Sequence, residues 1–473
     1  MRKAFMGVRL KRLREERGMT QVALARALEL SPSYLNQLEN NQRPLTVPVL
    51  LKLNAVFGVD VQLFSEDDEA RLISDLRDAV ADPAITETVA VSELRELAAS
   101  MPAVGRALVT LHRRYRQAVD QAEALAAGLL PGGEGAGLAP LTPYEQVRDF
   151  FYARHNHFAE LDEPAERIAI AFGGALGAAA AGPLAALLEE RHGVRVVVGG
   201  PDVQDERRRL YRRTGDALHL TVGLRPGQQA FQMATQLAYL ELGDVVERLA
   251  LEASKGDPET HALARIGLAH HFAGAVLMPY AAFLEAAEAA RYDVELLAER
   301  YGVGFETICH RLSTLQRQNA RGVPFVFVRV DRAGNISKRQ SATDFHFSRV
   351  GGACPLWNVY EAFAQPGRIL TQIARMPDGR TYLWIARTVG RSSGGYGAIR
   401  KTFAIGLGCD LRHADRLVYS KGLDLSDPDA ATPIGAGCKV CERPACPQRA
   451  FPPLGRKLAI DEASRTVAPY ASG

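Results

Sequence analysis

Residues 20–45 read TQVALARALELSPSYLNQLENNQRPL. Thr20 stands where a short helix would begin, with a side-chain oxygen suited to capping the first free N–H groups, and Ala25 is small enough for a second helix to approach closely. After Leu30, Ser31 repeats the capping signal and Pro32 takes the first helical position, where its missing N–H costs nothing. Upstream, Leu10 and Leu13 lie three residues apart on one face, Arg9, Lys11, Arg12 and Arg14 point away from it, and Gly18 closes the helix. The pattern predicts two short helices joined by a turn, with a further helix before them.

This run resembles the phage-repressor-like (XRE) helix-turn-helix family, whose second helix begins with Gln and whose recognition helix ends near Leu-Glu-Asn. The resemblance covers about 60 residues and implies operator DNA as partner. It also implies that Ser31, Pro32, Ser33 and Gln37 face base edges in the major groove, while Gln21, Asn40 and Arg43 hold phosphates.

The whole chain has 473 residues, enough for several domains. Its 57 Lys+Arg against 54 Asp+Glu leave a net charge of +3, so nucleic-acid affinity must come from a local patch rather than overall charge. Three of the six cysteines fall between 438 and 446. The start MRKAFMGVRLKRLREERG lacks an apolar signal core, which with so few cysteines points to a reducing, cytoplasmic setting. Ile168 to Leu188 carries no charge, but Gly173-Gly174 and Gly182-Pro183 interrupt it. It reads as two short buried helices joined by a turn, with no membrane expected.

The expected organisation is a reader at 1–66, a helical linker or dimerisation region at 67–130, a middle domain at 143–320 and a C-terminal domain at 321–473. In the linker, Leu108, Leu111, Tyr115, Ala118, Ala122 and Leu125 keep helical spacing, which suits either packing within the chain or pairing of two subunits. Pro131 to Gly137 has linker chemistry.

In the middle, an aromatic helix from Tyr144 to Phe158 leads to strands near 194–200 and 218–223, then to a helix through Phe231–Leu240. With HHFAGAVLMP at 270–279, these residues resemble the ImmA/IrrE-type metallopeptidase domain. Active members carry His-Glu-x-x-His on the first helix, because histidines four apart share a face and bind zinc while Glu activates water. Those positions here are Thr235, Gln236 and Tyr239, so no catalytic residue is assigned and no enzyme activity is expected. His270 and His271 are adjacent, pointing about 100° apart on a helix, and do not replace the pair. Cys309 shares the apolar spacing of Phe305 and Leu312, as a buried structural thiol would.

Beyond 321, VPFVFVRVDRAGNISKR reads as a strand and turn, and residues 368–376 and 380–387 alternate around Pro377-Asp378-Gly379 as a hairpin. The Gly-rich run at 392–398 reads as a loop. Cys438, Cys441 and Cys446, the last followed by Pro447, have the spacing of thiolates that bind a soft metal or an iron–sulfur cluster. Cys409 is the preferred fourth ligand and Cys354 its rival. The fold class expected is α+β multidomain: an all-α helix-turn-helix domain, a mainly helical peptidase-like domain and a mixed α/β sensor domain.

Taken in order, the reader, the middle domain without its ligands, and a C-terminal domain with CPLWN and the cysteine run resemble the short-chain fatty acyl-CoA regulator family. That resemblance implies a dimeric bacterial transcription regulator of propionate and acetate metabolism that senses acyl-CoA through contact residues not yet assignable. It also implies, in some members, a 4Fe-4S cluster, with zinc the alternative. An antitoxin-like or stress-response repressor is the other reading of the same order of parts.

Overall fold

The computed structural model describes residues 7–40, 42–43, 46–57, 66–82, 85, 87, 89–126, 142–199, 209–212, 216–342, 354–391, 396–397, 400–435, 437–438, 441, 443, 446–450 and 452. The run at 131–137 and most of the Gly-rich run at 392–398 lie outside them. The chain divides into two compact units, one of residues 1–140, 344–352 and 436–473, the other of 141–343 and 353–435.

The first unit begins with α1 (Gly7–Glu16), α2 (Gln21–Ala27), α3 (Pro32–Glu39) and α4 (Val47–Phe57). Both capping signals are used: Thr20 accepts from the N–H of Ala23 and Ser31 from that of Tyr34. Gly18 ends α1 with a left-handed φ of 61°, a conformation that costs glycine little. Leu10, Leu24, Leu28, Leu35, Leu38 and Leu53 form a core between the four helices. Three further helices follow: α5 (Glu66–Val80), α6 (Val91–Ser100) and α7 (Pro102–Ala126). Leu72, Leu76, Leu94, Ala98 and Val109 make their shared core.

The second unit opens with α8 (Pro143–Ala153), α9 (Ala159–Ala171) and α10 (Ala181–His192). The expected aromatic helix stops at Ala153, short of Phe158, because His155 and Asn156 take left-handed φ values of 50° and 59°. The uncharged stretch after Ile168 is broken at Gly173 and Gly174, where φ is again positive. Among the described residues, no single helix is long and apolar enough to cross a membrane.

A small sheet follows, of β1 (Arg195–Val198), β2 (Arg209–Arg212) and β3 (Ala217–Leu220), with β3 central, parallel to β1 and antiparallel to β2. Then come α11 (Pro226–Glu241), α12 (Gly243–Ser254), α13 (Pro258–Leu277), α14 (Tyr280–Ala289), α15 (Val294–Tyr301) and α16 (Phe305–Leu312).

The larger sheet contains β4 (Phe325–Val330), β5 (Ile336–Ser341), β6 (Leu370–Arg375), β7 (Thr381–Arg391), β8 (Lys401–Asp410) and β9 (Thr432–Pro433), with α17 (Asn358–Glu361) between β5 and β6. Its order is β5-β4-β8-β7-β6-β9, antiparallel except for the β6–β9 pairing. The hairpin expected around Pro377-Asp378-Gly379 is β6–β7.

One face of this sheet presents Phe325, Phe327, Ile373, Leu383, Ile385, Ile405 and Leu407 to the same hydrophobic core as Leu237, Phe272, Ile308 and Leu312 of the helices. The other face explains CPLWN. Trp357 meets Trp384 edge to face at 4.7 Å, and the Asn358 side chain donates to the carbonyl of Leu370 at 3.1 Å. Trp384 in turn lies on Gly408, where a Cβ would come within 2.6 Å of the indole.

Candidate functional site

Three places carry the residues that the sequence singles out. In the reader, Ser31, Pro32 and Ser33 are exposed at the N-terminal end of α3, and Gln37, one turn on, is half-buried. Gln21 is held inside the module, its amide donating to Asn36 Oδ1 at 3.2 Å and Glu39 Oε2 at 2.9 Å. A phosphate contact by that amide therefore means giving up one of these bonds. Asn40 donates to Asn36 at 2.9 Å, and the Arg43 guanidinium lies 5.7 Å from the Tyr34 ring. Buried Glu39 is anchored by Arg14 at 2.7 Å, an ion pair that fixes α3 against α1. The exposed Asn36 joins Gln21 to Asn40, a role that helix-turn-helix spacing alone does not single out.

The second place is α11. Thr235 is buried and donates to the carbonyl of Phe231 at 2.7 Å, a bond to its own helix that leaves the hydroxyl no reach toward a metal. Gln236 accepts from Arg209 of β2 at 2.7 Å. The same guanidinium lies 5.5 Å from the Tyr239 ring, and Arg265 of α13 approaches that ring at 5.7 Å. Burial raises the Tyr239 pKa against the opposing pull of Arg209 and Arg265, which keeps the phenol neutral. The face that binds a dication in active peptidases is here lined by neutral side chains and cations. His270 stacks near Phe231 at 5.4 Å, whereas His271 turns to Asp162, so the adjacent histidines diverge as the helix requires.

The third place is the cysteine run. Cys438 and Cys441 are buried and Cys446 is partly exposed. Arg449, itself buried, donates Nη1 to the Cys438 carbonyl at 2.9 Å and Nη2 to the Cys441 carbonyl at 3.1 Å, and also reaches the Arg443 carbonyl. One guanidinium thus pins the loop that carries the thiols through three backbone carbonyls. Among the described residues, no three His, Cys, Asp or Glu side chains converge closely enough to hold a metal ion.

Cys409 and Cys354 belong to the second unit. Cys409 lies on β8 opposite Phe325 and Leu383, inside the apolar core, and burial pushes its thiol pKa well up. A thiol in that setting resists becoming the thiolate that a metal needs. Cys354 is also buried, in CPLWN. Cys309 is fully buried in the core beside Phe305 and Leu312, as its spacing predicts.

Residues 10–64 match the helix-turn-helix family, 189–313 the IrrE N-terminal-like domain, and 314–470 the C-terminal domain of the short-chain fatty acyl coenzyme A regulators. The chain is 51% identical to the HTH-type transcriptional regulator PrpR of Mycobacterium tuberculosis, over 99% of this chain and 96% of that protein. It is 52% identical to RamB of the same species, over 99% of each. The chain belongs to the short-chain fatty acyl-CoA regulator family.

This regulator is also 43% identical to the propionyl-CoA carboxylase regulator of Cereibacter sphaeroides, over 99% of this chain and 98% of that one. A solved Mycobacterium tuberculosis transcriptional regulator superposes with a TM-score of 0.67 at 52% identity, covering 70% of this chain and all of the other. The fold class expected from sequence, a helical reader with a peptidase-like middle and a mixed C-terminal domain, is the one observed.

Sequence spacing misses the most tightly buried ion pair among the described residues. Asp162 of α9 lies 2.7 Å from Arg311 of α16, 3.2 Å from His157 and 3.5 Å from His271 of α13. Burial opposes its carboxylate, but Arg311, His157 and His271 outweigh burial and hold its pKa well below the usual range. Burial lowers the pKa of His271 against the pull of Asp162, and lowers that of His310 further, with Lys338 adding to the effect.

These directions set the pH dependence. The folded chain binds fewer protons at His271 and His310 than the unfolded chain, so their stabilisation falls as pH drops below an unfolded value of about 6.5. The Asp162 contribution is present above an unfolded value of about 3.9 and is lost only as pH falls through its depressed folded value. Thermal melting is expected to weaken between about pH 6.5 and 5, before carboxylates protonate, and His310→Gln should flatten that first loss. A melting temperature flat down to pH 5 in the parent chain contradicts the assignment.

Proposed function

We propose that this chain is a cytoplasmic, homodimeric repressor or activator of short-chain acyl-CoA metabolism, serving propionate or acetate use, whose operator affinity changes when an acyl-CoA binds. The observation that carries the reading is the pairing of an open DNA-reading end on α3 with a peptidase-like face whose metal position is met by Arg209. A hydrolase fold kept without its catalytic groups serves as a binding or coupling element, and peptidase activity is not expected. The names of the full-length relatives support the choice of acyl-CoA metabolism.

For the ligand to act, it must bind the DNA-competent and incompetent states with different affinity. Operator titration by fluorescence anisotropy, with and without propionyl-CoA or acetyl-CoA, tests this. A shift of roughly 5–150-fold is the usual size of such coupling; identical operator curves remove the sensing claim.

The donor chemistry of Cys438, Cys441 and Cys446, on a loop that Arg449 pins through its carbonyls, fits a soft metal, so a 4Fe-4S cluster or a zinc ion held there is part of the proposal. When bound, such a group would tie the loop together and make it sensitive to oxidation or metal supply. Anaerobic purification with absorption spectra and metal analysis separates the two metals. Cys354→Ser and Cys409→Ser compared side by side assign the fourth ligand.

A further inference from the structure

In the DNA reader, a chain of hydrogen bonds starts at a buried ion pair and ends on the exposed side of α3. Arg14 Nε donates to Glu39 Oε1 at 2.7 Å, and Glu39 is buried. A carboxylate held as an ion accepts hydrogen bonds and donates none. The atom of Gln21 that meets Glu39 Oε2, at 2.9 Å, is therefore its amide nitrogen. The second hydrogen of that nitrogen goes to Asn36 at 3.2 Å, so Asn36 turns its oxygen inward. Asn40 donates to the same oxygen at 2.9 Å. Both lone pairs of Asn36 Oδ1 are then taken, and its Nδ2, which has no acceptor among the described residues, keeps two hydrogens for the outside. Asn36 is exposed and shares a face with Ser33, Gln37 and Asn40, the four lying within about 100° of arc on the helix.

We infer that Asn36 is a base-reading residue that presents donors only, and that Gln21 is the residue that positions it. The inference rests on the DNA-reading part of the function and not on acyl-CoA. Its chemistry selects the base. Asparagine ordinarily reads adenine with both ends of its amide, the oxygen accepting from N6 and the nitrogen donating to N7. Here the oxygen is occupied, so that pairing is closed, and an amide that can only donate meets a second donor at adenine N6. Guanine offers O6 and N7 side by side as acceptors, one for each hydrogen of Nδ2. The base opposite Asn36 is therefore guanine. The same bonds define Gln21. With both amide hydrogens spent on Glu39 and Asn36, its remaining side-chain atom, Oε1, is an acceptor and gives a phosphate oxygen nothing to bind.

The test selects binding sequences from a pool of random-sequence duplexes with the full-length protein, with and without propionyl-CoA. The parent is expected to enrich a G·C pair at a position where Asn36→Ala shows no preference, a loss of about fivefold or more in discrimination. Asn36→Asp, which keeps an inward acceptor and removes the donors, should lose the same preference. Replacing that guanine with 7-deazaguanine, which lacks the N7 acceptor, should weaken the parent and leave Asn36→Ala unchanged. Gln21→Met leaves the Arg14–Glu39 pair in place and frees one lone pair of Asn36 Oδ1, so the amide can turn over. Adenine should then become acceptable at the same position, a change of preference that a purely structural role does not produce. Each variant is read at unchanged circular dichroism and melting temperature. A parent that enriches no sequence in either condition removes DNA reading itself, and this inference with it. An enriched site overturns the inference alone if Asn36→Ala leaves its profile intact or weakens all sequences equally, if the parent prefers adenine there, or if Gln21→Met keeps the parent's profile.

Discussion

Replacing Arg311 with Met is expected to destabilise the second unit by roughly 3–5 kcal/mol, the size found when one partner of a buried ion pair is removed. Arg311 is 2% exposed and Asp162 is fully buried, so deletion of the guanidinium strands a carboxylate out of reach of water. The loss extends beyond one pair. Arg311 Nε donates to the Met278 carbonyl at 3.0 Å and Nη1 to Thr314 Oγ1 at 3.1 Å, while Nη2 holds Asp162. It therefore joins α9, the C-terminal end of α13 and the end of α16. Adding Asp162→Leu to Arg311→Met should recover part of the stability, because the stranded charge is gone and an apolar side chain fills its place. Urea unfolding followed by circular dichroism measures both. A loss below about 1 kcal/mol in the single variant would mean that water reaches the site and that the cluster does not tie α9, α13 and α16 together.

The second large effect concerns the peptidase-like face. Thr235→His, Gln236→Glu and Tyr239→His together rebuild His-Glu-x-x-His on α11, yet the triple variant is expected to bind zinc poorly. Arg209 lies within 2.7 Å of position 236 and would pair with the new carboxylate, placing a cation beside the incoming metal. Adding Arg209→Ala should raise zinc affinity on the order of a hundredfold, about 2.8 kcal/mol at 1.4 kcal/mol per tenfold. Competition with a chromogenic chelator reads this directly. Stoichiometric, tight zinc in the triple variant with Arg209 intact would show that the cation is not what bars the metal.

The contrast between these residues and the reader explains what a sequence discloses. Thr20, Ser31 and Pro32 act on N–H groups within three residues of themselves, so their roles are written in local order. The hairpin at 377–379 and the break at Gly173-Gly174 are local in the same sense. Asp162 and Arg311 are 149 residues apart, and nothing in either neighbourhood announces the other. Arg209 sits in the run ERRRL at 206–210, which reads as a solvated charge cluster until β2 carries it to α11. Arg449 lies eight residues beyond Cys441 and looks equally ordinary, because its partners are backbone carbonyls that leave no mark in composition. Which thiol is enclosed by Phe325 and Leu383 is decided by strand register, which neighbours do not reveal.

The chain has two tryptophans, and both lie in one edge-to-face pair beneath α17. All its indole fluorescence therefore arises from a single point in the larger sheet, packed on Gly408 and shielded from water. The helix-turn-helix module contributes none. An emission shift on adding a small molecule reports only on the sheet-bearing unit, and melting of the DNA reader leaves indole emission unchanged while it lowers helical circular dichroism, so the two units can be followed separately in the unlabelled protein.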